Sequence, residues 1–341
     1  MKNKTRSFVC AATVICFAVT VLVGMSMFGS VPMALAAAAP AKNFPATGKN
    51  ITLVIGYTAG GPTDMGARIA VGALEKVMAG AKFDIIYKPG ATGQAGATFV
   101  AKSKPDGYTM GVTNVPAVNV SYLDPDRQAV YGRKSFQPLA NMVVDPGLIA
   151  VRMDSPFKSI ADIIKAAKAN PHKITITTTG LQSTEHFWSL RLQNLTNTQF
   201  ALVHFEGTVP AVMAVLGGKV DVLFGNVSDV SSHVKNGTVR VLGLLDDRES
   251  PFLPPGVKTL QAQGIPLVGG SFRGFSLPGG TPKEIVNILG DAMRKALNSD
   301  EVKEKLSKIG LTWRYMDTPQ FEKFWDEMDE TMVKLIPITK Q

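Results

Sequence analysis

Cysteine is nearly absent from this chain. Among 341 residues only Cys10 and Cys16 occur, both inside an apolar N-terminal stretch. Beyond that stretch there is no thiol for a disulfide, a thiolate metal site or a cysteine nucleophile. Histidine is also scarce. His172, His186, His204 and His233 make no H-E-x-x-H or short H-x-H pattern, which argues against a zinc centre. There is no G-x-x-x-x-G-K-[ST] phosphate loop and no G-x-S-x-G nucleophile elbow, and "GATGQAG" spaces its glycines three apart, unlike G-x-G-x-x-G. Aromatic residues make up 8% of the chain and never interleave with a basic run. Lys and Arg outnumber Asp and Glu by 36 to 27, for a net charge of +9, but they are scattered. A nucleic-acid partner would need a concentrated basic footprint, whereas a mild positive field favours anionic solutes. This inventory leaves no catalytic residue, metal ligand set or cofactor motif to assign.

What is present begins with a leader. Lys2, Lys4 and Arg6 precede "FVCAATVICFAVTVLVGMSMFG", a stretch without charge, and then "SVPMALAAAAP", where Ala34-Leu35-Ala36 makes an A-x-A cleavage pattern. Residues 1–36 read as a secretory signal peptide and residues 37–49 as a linker. A retained anchor competes with this reading, since about 20 apolar residues suffice to span a bilayer; the run of small residues fits a peptidase site better. Neither cysteine follows the small residue that a lipid-attachment site would require. No later stretch is apolar enough to cross a membrane, and the 45% hydrophobic content of so long a chain can fill two domains.

Four segments then repeat one grammar. "ITLVI" leads through "GYTAGGPTD" into a helical pattern at Ile69, Ala70, Ala73, Leu74, Val77 and Met78. "FDIIY" leads through Gly90, Gly93 and Gly96 into another. "ITITTTG" does so with Ser183 and Thr184 at the junction, and "FALVHFEG" with Gly207 and Thr208, where Pro210 starts a helix that Gly217 and Gly218 end. Strand, small polar turn and helix in repetition predict an α/β fold with parallel strands. Ligands of such sheets settle at the carboxyl ends of the strands, where helix N-termini present unpaired N–H groups and partial positive charge. Bare backbone there lets a carboxylate approach the amides of residues 59–63. The same glycines and threonines also serve plain turn geometry, with Asp64 a first-turn acid, and the pattern alone leaves both open.

Other features read as scaffold. His186 is a polar residue at a helix start, and Asp246-Asp247 reads as solvated loop surface. In the tail, Ile285, Leu289, Met293 and Leu297 mark one buried helix face, and Phe321, Trp325 and Met328 read as core.

Together the pieces resemble the solute receptors of tripartite tricarboxylate transporters, the Bug-type receptors, over essentially the whole mature length. The matching blocks are "AGGPTDMGAR", "KPGATGQAGA", "KPDGYTM", "GLQSTEH", "FEGTVPAV", "LGGKVDVLFGN" and "RGFSLPGGTP". The resemblance implies a periplasmic, two-domain clamshell of the type II binding-protein class. Each lobe would be a mainly parallel sheet flanked by helices, with residues 50–149 plus 271–341 in domain 1 and residues 150–270 in domain 2. It implies a monomer that captures a small organic acid by its carboxylate and delivers it to membrane permease subunits; a sensing adaptor for a signalling kinase, or an α/β enzyme, are the competing functions. The implied site takes Thr58, Ala59, Gly60, Gly61, Thr63 and Asp64 from the first turn, Ala91 and Gly93 from the second, and Asn114. From the other half it takes Thr179, Gly180, Ser183, Thr184, Glu206, Gly207 and Asn226, with Arg273 near the crossover. Arg273 would either clamp a distal carboxylate or pair on the surface. Gly225 stands where the family commonly has aspartate, which would remove a partner for a ligand ammonium unless Glu206 restores an acid. N-terminal sequencing of the exported protein should give a start near Ala37; an intact Met1 in the membrane fraction would refute cleavage.

Overall fold

The computed structural model describes residues 44–337, so the leader expected over residues 1–36 lies outside the described residues. No helix among them is long and apolar enough to cross a membrane. The chain opens with the expected alternation: β1 (Ile51–Ile55), α1 (Pro62–Val77), β2 (Phe83–Tyr87), α2 (Gln94–Ala101), β3 (Thr109–Val115) and α3 (Ala117–Leu123). α1 starts with Pro62 at its first turn and buries Ala67, Ala70, Ala73 and Leu74, an i, i+3 and i+4 stripe against the sheet. β1 lies between β2 and β3, parallel to both, with Leu53 opposite Ile85 and Met110.

A 17-residue strand, β4 (Phe136–Arg152), follows and is buried at all but two positions. After it the alternation resumes: α4 (Ile160–Ala169), β5 (Thr175–Thr178), α5 (Thr184–Thr196), β6 (Ala201–His204), α6 (Thr208–Leu216), β7 (Val222–Asn226), α7 (Val227–Lys235) and β8 (Val239–Leu245). β5 pairs parallel with β6 and β7. The chain then returns through β9 (Gly270–Pro278), α8 (Lys283–Leu297), α9 (Asp300–Lys308), β10 (Thr312–Met316) and α10 (Thr318–Leu335).

The sheet is mixed where the strand–turn–helix grammar ends. β4 runs antiparallel to every neighbour: its first part pairs with β9 and β10, its last part with β7 and β8. β9 also pairs antiparallel with β3. No strand–turn–helix signal marks β4 or β9, and so their direction was not written in the local pattern. Each half of β4 has its own core. One contains Leu53, Leu74, Met110, Leu139, Phe275 and Leu289, the other Ile149, Ile163, Ile176, Leu192, Val222 and Phe224.

The tail packs as read. Ile285, Leu289, Met293 and Leu297 are buried, as are Phe321 and Trp325, and Trp325 stacks on Phe136 with ring centroids 5.8 Å apart. One expectation needs correction: Asp246 is buried, not solvated, and burial with Asp247 beside it pushes its carboxyl up to about 6.

Two glycines separate packing from propensity. A Cβ on Gly274 would stand 2.5 Å from the Ala140 carbonyl oxygen and 2.8 Å from the Phe321 ring, whereas one on the exposed Gly72 of α1 meets nothing within 4 Å. Gly274→Ala should therefore cost about 1–3 kcal/mol through overpacking, and Gly72→Ala should stabilise by about 0.5–1 kcal/mol. Chemical denaturation of both variants checks the pair of signs.

Candidate functional site

The turns after β1 and β2 pack backbone to backbone. A Cβ on Gly56 would lie 2.9 Å from the Gly93 carbonyl oxygen, and one on Gly96 only 2.6 Å from the Gly56 Cα. These glycines are small because two turns touch. Gly60 is required for another reason: its φ is +85°, in the left-handed region. Its N–H is already spent, donating to the Asp64 Oδ2 at 2.8 Å. Asp64 is buried; although burial raises its pKa, bonds from the Gly60 amide, the Tyr87 hydroxyl and the Arg68 guanidinium hold it below the usual value. Gly61 differs from both. It is the N-cap of α1 at φ −78°, and a Cβ there would meet only the Thr58 carbonyl oxygen, at 3.8 Å. Thr58 and Ala59 are exposed beside it.

The second turn is a 3-10 turn, Ala91–Gly93, in which Ala91 is exposed and Gly93 caps α2. Tyr57 donates its hydroxyl to the Thr92 carbonyl oxygen at 3.3 Å. Thr92 faces the other half of the molecule. A Cβ on Gly180 would stand 3.5 Å from the Thr92 hydroxyl and 3.7 Å from the Phe205 carbonyl oxygen. Gln182 of the same turn reaches across to Asp124, donating to its carboxylate. The turns after β2, β5 and β6 therefore meet. Behind them a cavity of about 20 Å³, lined in part by Tyr57, Thr92, Gly93, Gln94 and Asn114, has room for about one water molecule.

On β9, Arg273 is neither on the surface nor unpaired. It is 5% exposed and donates through Nη1 to the Asp145 Oδ2 at 2.6 Å and through Nε to the Thr63 hydroxyl at 3.2 Å. Asn114 donates to the same hydroxyl at 3.3 Å. Asp145, fully buried on β4, also accepts from the Ser228 amide at 3.0 Å and from the Ser228 hydroxyl. Beside this lies a second group. Asn226 donates to Glu185 at 2.9 Å, Thr179 donates to the other Glu185 oxygen, and the Asn226 amide donates to the Asp229 Oδ2 at 2.8 Å. The two groups interact electrostatically through Asp229, on which Asp145, Glu185 and Arg273 all act.

The structure thus brings Thr63, Asn114, Thr179, Asn226 and Arg273 into one buried polar region. Ser183 and Thr184 adjoin it at the start of α5, where Ser183 caps the His186 amide at 3.2 Å. His186 lies at the helix start as expected; burial, with His204 beside it, pushes its pKa down to about 4. Gly207 caps α6, while Glu206 is exposed and takes no part in the acid group. The idea that Gly225 leaves this end without an acid is corrected: a Cβ there would stand 3.3 Å from the Asp229 Oδ2. Asp229 and Glu185, not Glu206, supply the carboxyls. Sequence reasoning missed Tyr57, Asp145, Glu185 and Asp229. A charged residue inside the apolar run "LANMVVDPGLIAV" was the one signal available for Asp145. No group of three or more His, Cys, Asp or Glu suited to a metal ion occurs among the described residues.

Residues 67–339 match the family described as tripartite tricarboxylate transporter family receptor. A Cupriavidus necator protein, "UPF0065 protein in gbd 5'region", is 32% identical over 299 residues, covering 85% of this chain and 87% of its own. Among solved structures, MatC (Rpa3494) from Rhodopseudomonas palustris with bound malate is 25% identical at a TM-score of 0.75, covering 84% of this chain and 98% of its own. R. palustris Rpa4515 with adipate is 25% identical at a TM-score of 0.76, covering 85% and 97%. These structures share the two-domain clamshell fold with this chain.

Three carboxyls against one guanidinium set up a pH dependence. Burial, then Asp145 and Glu185, push the Asp229 carboxyl up to about 7, and its Oδ1 is buried without a partner. The folded state then holds a proton that the unfolded chain releases near pH 4. The stability due to this group is complete below about pH 4, falls as pH rises and is lost above about pH 7. Asp229→Asn should therefore gain on the wild type between pH 5 and pH 8 in urea titrations. A constant difference between the two proteins would show Asp229 ionised throughout.

Proposed function

This chain belongs to the tripartite tricarboxylate transporter receptor family, and on that premise we propose that it is a periplasmic receptor that captures a small organic acid by a carboxylate and hands it to the membrane permease subunits of a secondary transporter. The family is one of solute receptors, not of enzymes. One observation carries the proposal for this chain: turns from opposite halves of β4 converge, with Thr92 beside Gly180 and Gln182 bonded to Asp124. An oxyanion between them meets helix N-termini. The first-turn amides of α1, at Thr63 and Asp64, have no carbonyl one turn earlier to receive them, and the macrodipole favours negative charge there. The malate and adipate bound by the two similar receptors support a carboxylate as the handle.

Residues 50–149 with 271–341 form one lobe in this proposal and residues 150–270 the other, joined where β4 and β9 cross. The two cores on β4 support that division, with Val120, Met332 and Ile336 of the first lobe's range packing into the second core. The narrow space between the turns corresponds to the closed form, and entry of an acid requires the lobes to hinge apart. Export by the leader would place this cycle in the periplasm.

Gly60 is a poor place to test the first turn, because a branched side chain at its positive φ strains the backbone whether or not a ligand is bound. Gly61 separates the effects. Gly61→Val adds bulk at an open N-cap position with ordinary φ and should cost no more than about 1 kcal/mol of stability. It should weaken carboxylate binding by about tenfold or more, because the amides beneath it become shielded. Calorimetry of the mature protein with malate and adipate measures this; unchanged affinity would mean that the turn's bareness serves chain geometry alone.

A further inference from the structure

A short turn, Pro125–Arg127, follows α3 and is fixed at its start by the Asp124 side chain, which accepts from the Asp126 amide at 3.1 Å. The Arg127 side chain on this turn is half-buried, and its Nε and Nη2 atoms are buried without any hydrogen-bond partner. Among the described residues it is the one cation left in that state. Arg273 donates to Asp145 and Thr63, and Arg68 to Asp64 and Tyr87. A guanidinium has five N–H donors in a planar fork and cannot shed its proton, so leaving the three on Nε and Nη2 dry is costly. Burial accordingly pushes the Arg127 pKa down, against the opposing pull of Tyr131, Asp124 and Tyr57.

The position of the turn gives this cost a purpose. The Arg127 carbonyl oxygen accepts from Gln94 Nε2 at 2.9 Å, and Gln94 lines the small cavity with Tyr57, Thr92 and Gly93. Asp124, three residues earlier, holds Gln182 from the opposing turn. Arg127 therefore sits at the seam where the turns of the two halves meet, a separate place in the fold from the first turn of α1.

We propose that Arg127 is a second anion contact of the site and pairs, fork to fork, with the far carboxylate of a dicarboxylate whose other carboxylate is held at the glycine turns. This rests on the carboxylate-receptor function proposed above and deepens it to a preference for diacids. Charge complementarity carries it: a preformed, desolvated guanidinium with free parallel donors matches a carboxylate in geometry as well as sign.

The test uses the mature chain and two matched pairs, malate with lactate and adipate with hexanoate, each pair differing by one carboxylate. Wild type should bind each diacid more tightly than its monoacid. Arg127→Met should lose about 10- to 100-fold in affinity for the diacids and change by less than about threefold for the monoacids. Arg127→Lys, a point charge without the fork, should fall between. The unliganded melting temperature of Arg127→Met should equal or exceed that of wild type, since an unpaired buried charge is removed. Diacid affinity that survives Arg127→Met overturns the proposal. So does an equal loss for diacids and monoacids, or an Arg127→Met chain that melts well below wild type or fails to fold, because the guanidinium would then be serving the fold. A wild type that binds none of the four acids would instead bring down the carboxylate-receptor function itself.

Discussion

The ion pair between Arg273 and Asp145 is the constraint around which this structure is arranged. Its atoms approach to 2.6 Å, and its side chains are 6% and 0% exposed. Asp145 sits on β4 where pairing passes from β9 to β7 and β8, opposite Ser271 and two residues before Gly147 meets Asn226 and Leu245. Burying two charges is repaid only when their remaining hydrogen-bonding capacity is filled, and here Thr63 and Ser228 fill it. The pair thereby binds α1, β4, α7 and β9 at one point. Removing either partner would strand a charge, at a cost of about 3–5 kcal/mol. Glu185 and Asp229 beside it make the region rich in acid, so one carboxyl keeps its proton to higher pH than usual.

Under the proposed function that arrangement divides two tasks between two cations. Arg273 is committed to holding strands together and has little left for a solute, whereas Arg127 stands on a separate turn with donors unspent. In the proposed site, backbone amides of the turns complete the set. Amides hold an anion at modest cost in selectivity, because they recognise charge and position and leave the rest of the solute free. Two similar receptors hold different acids, malate and adipate; in the proposed site the handle falls to the main chain and the choice among acids to a few side chains at the seam.

The bare first turn has several causes at once. Gly56, Gly93 and Gly96 are small because neighbouring turns touch, Gly60 because its φ is positive, and Gly61 alone combines ordinary φ with open space. Asp64 is more than a plain first-turn acid. It turns back to hold the Gly60 amide and anchors Arg68 and Tyr87. A glycine-rich motif thus mixes packing, backbone conformation and binding, and only geometry separates them.

Local chemistry determined much of this protein. Alternating apolar runs and small polar turns specified β1, β2, β5 and β6 and the helices that follow them, because strand and helix periodicity are short-range properties. The tail's buried face and the burial of Phe321 and Trp325 followed from the same periodicity. Thr63, Asn114, Thr179 and Asn226 were named through the family resemblance, and the local pattern pointed only to the turns at the carboxyl ends of parallel strands. Tertiary structure decided the rest. The antiparallel course of β4 and β9 depends on partners more than a hundred residues apart, such as Phe136 and Pro278. Asp145, Glu185 and Asp229 look like ordinary acids in the sequence, and only the fold buries them together around Arg273. Arg127 was silent for the same reason: whether a guanidinium is paired or left dry depends on what packs around it, and no local pattern records that.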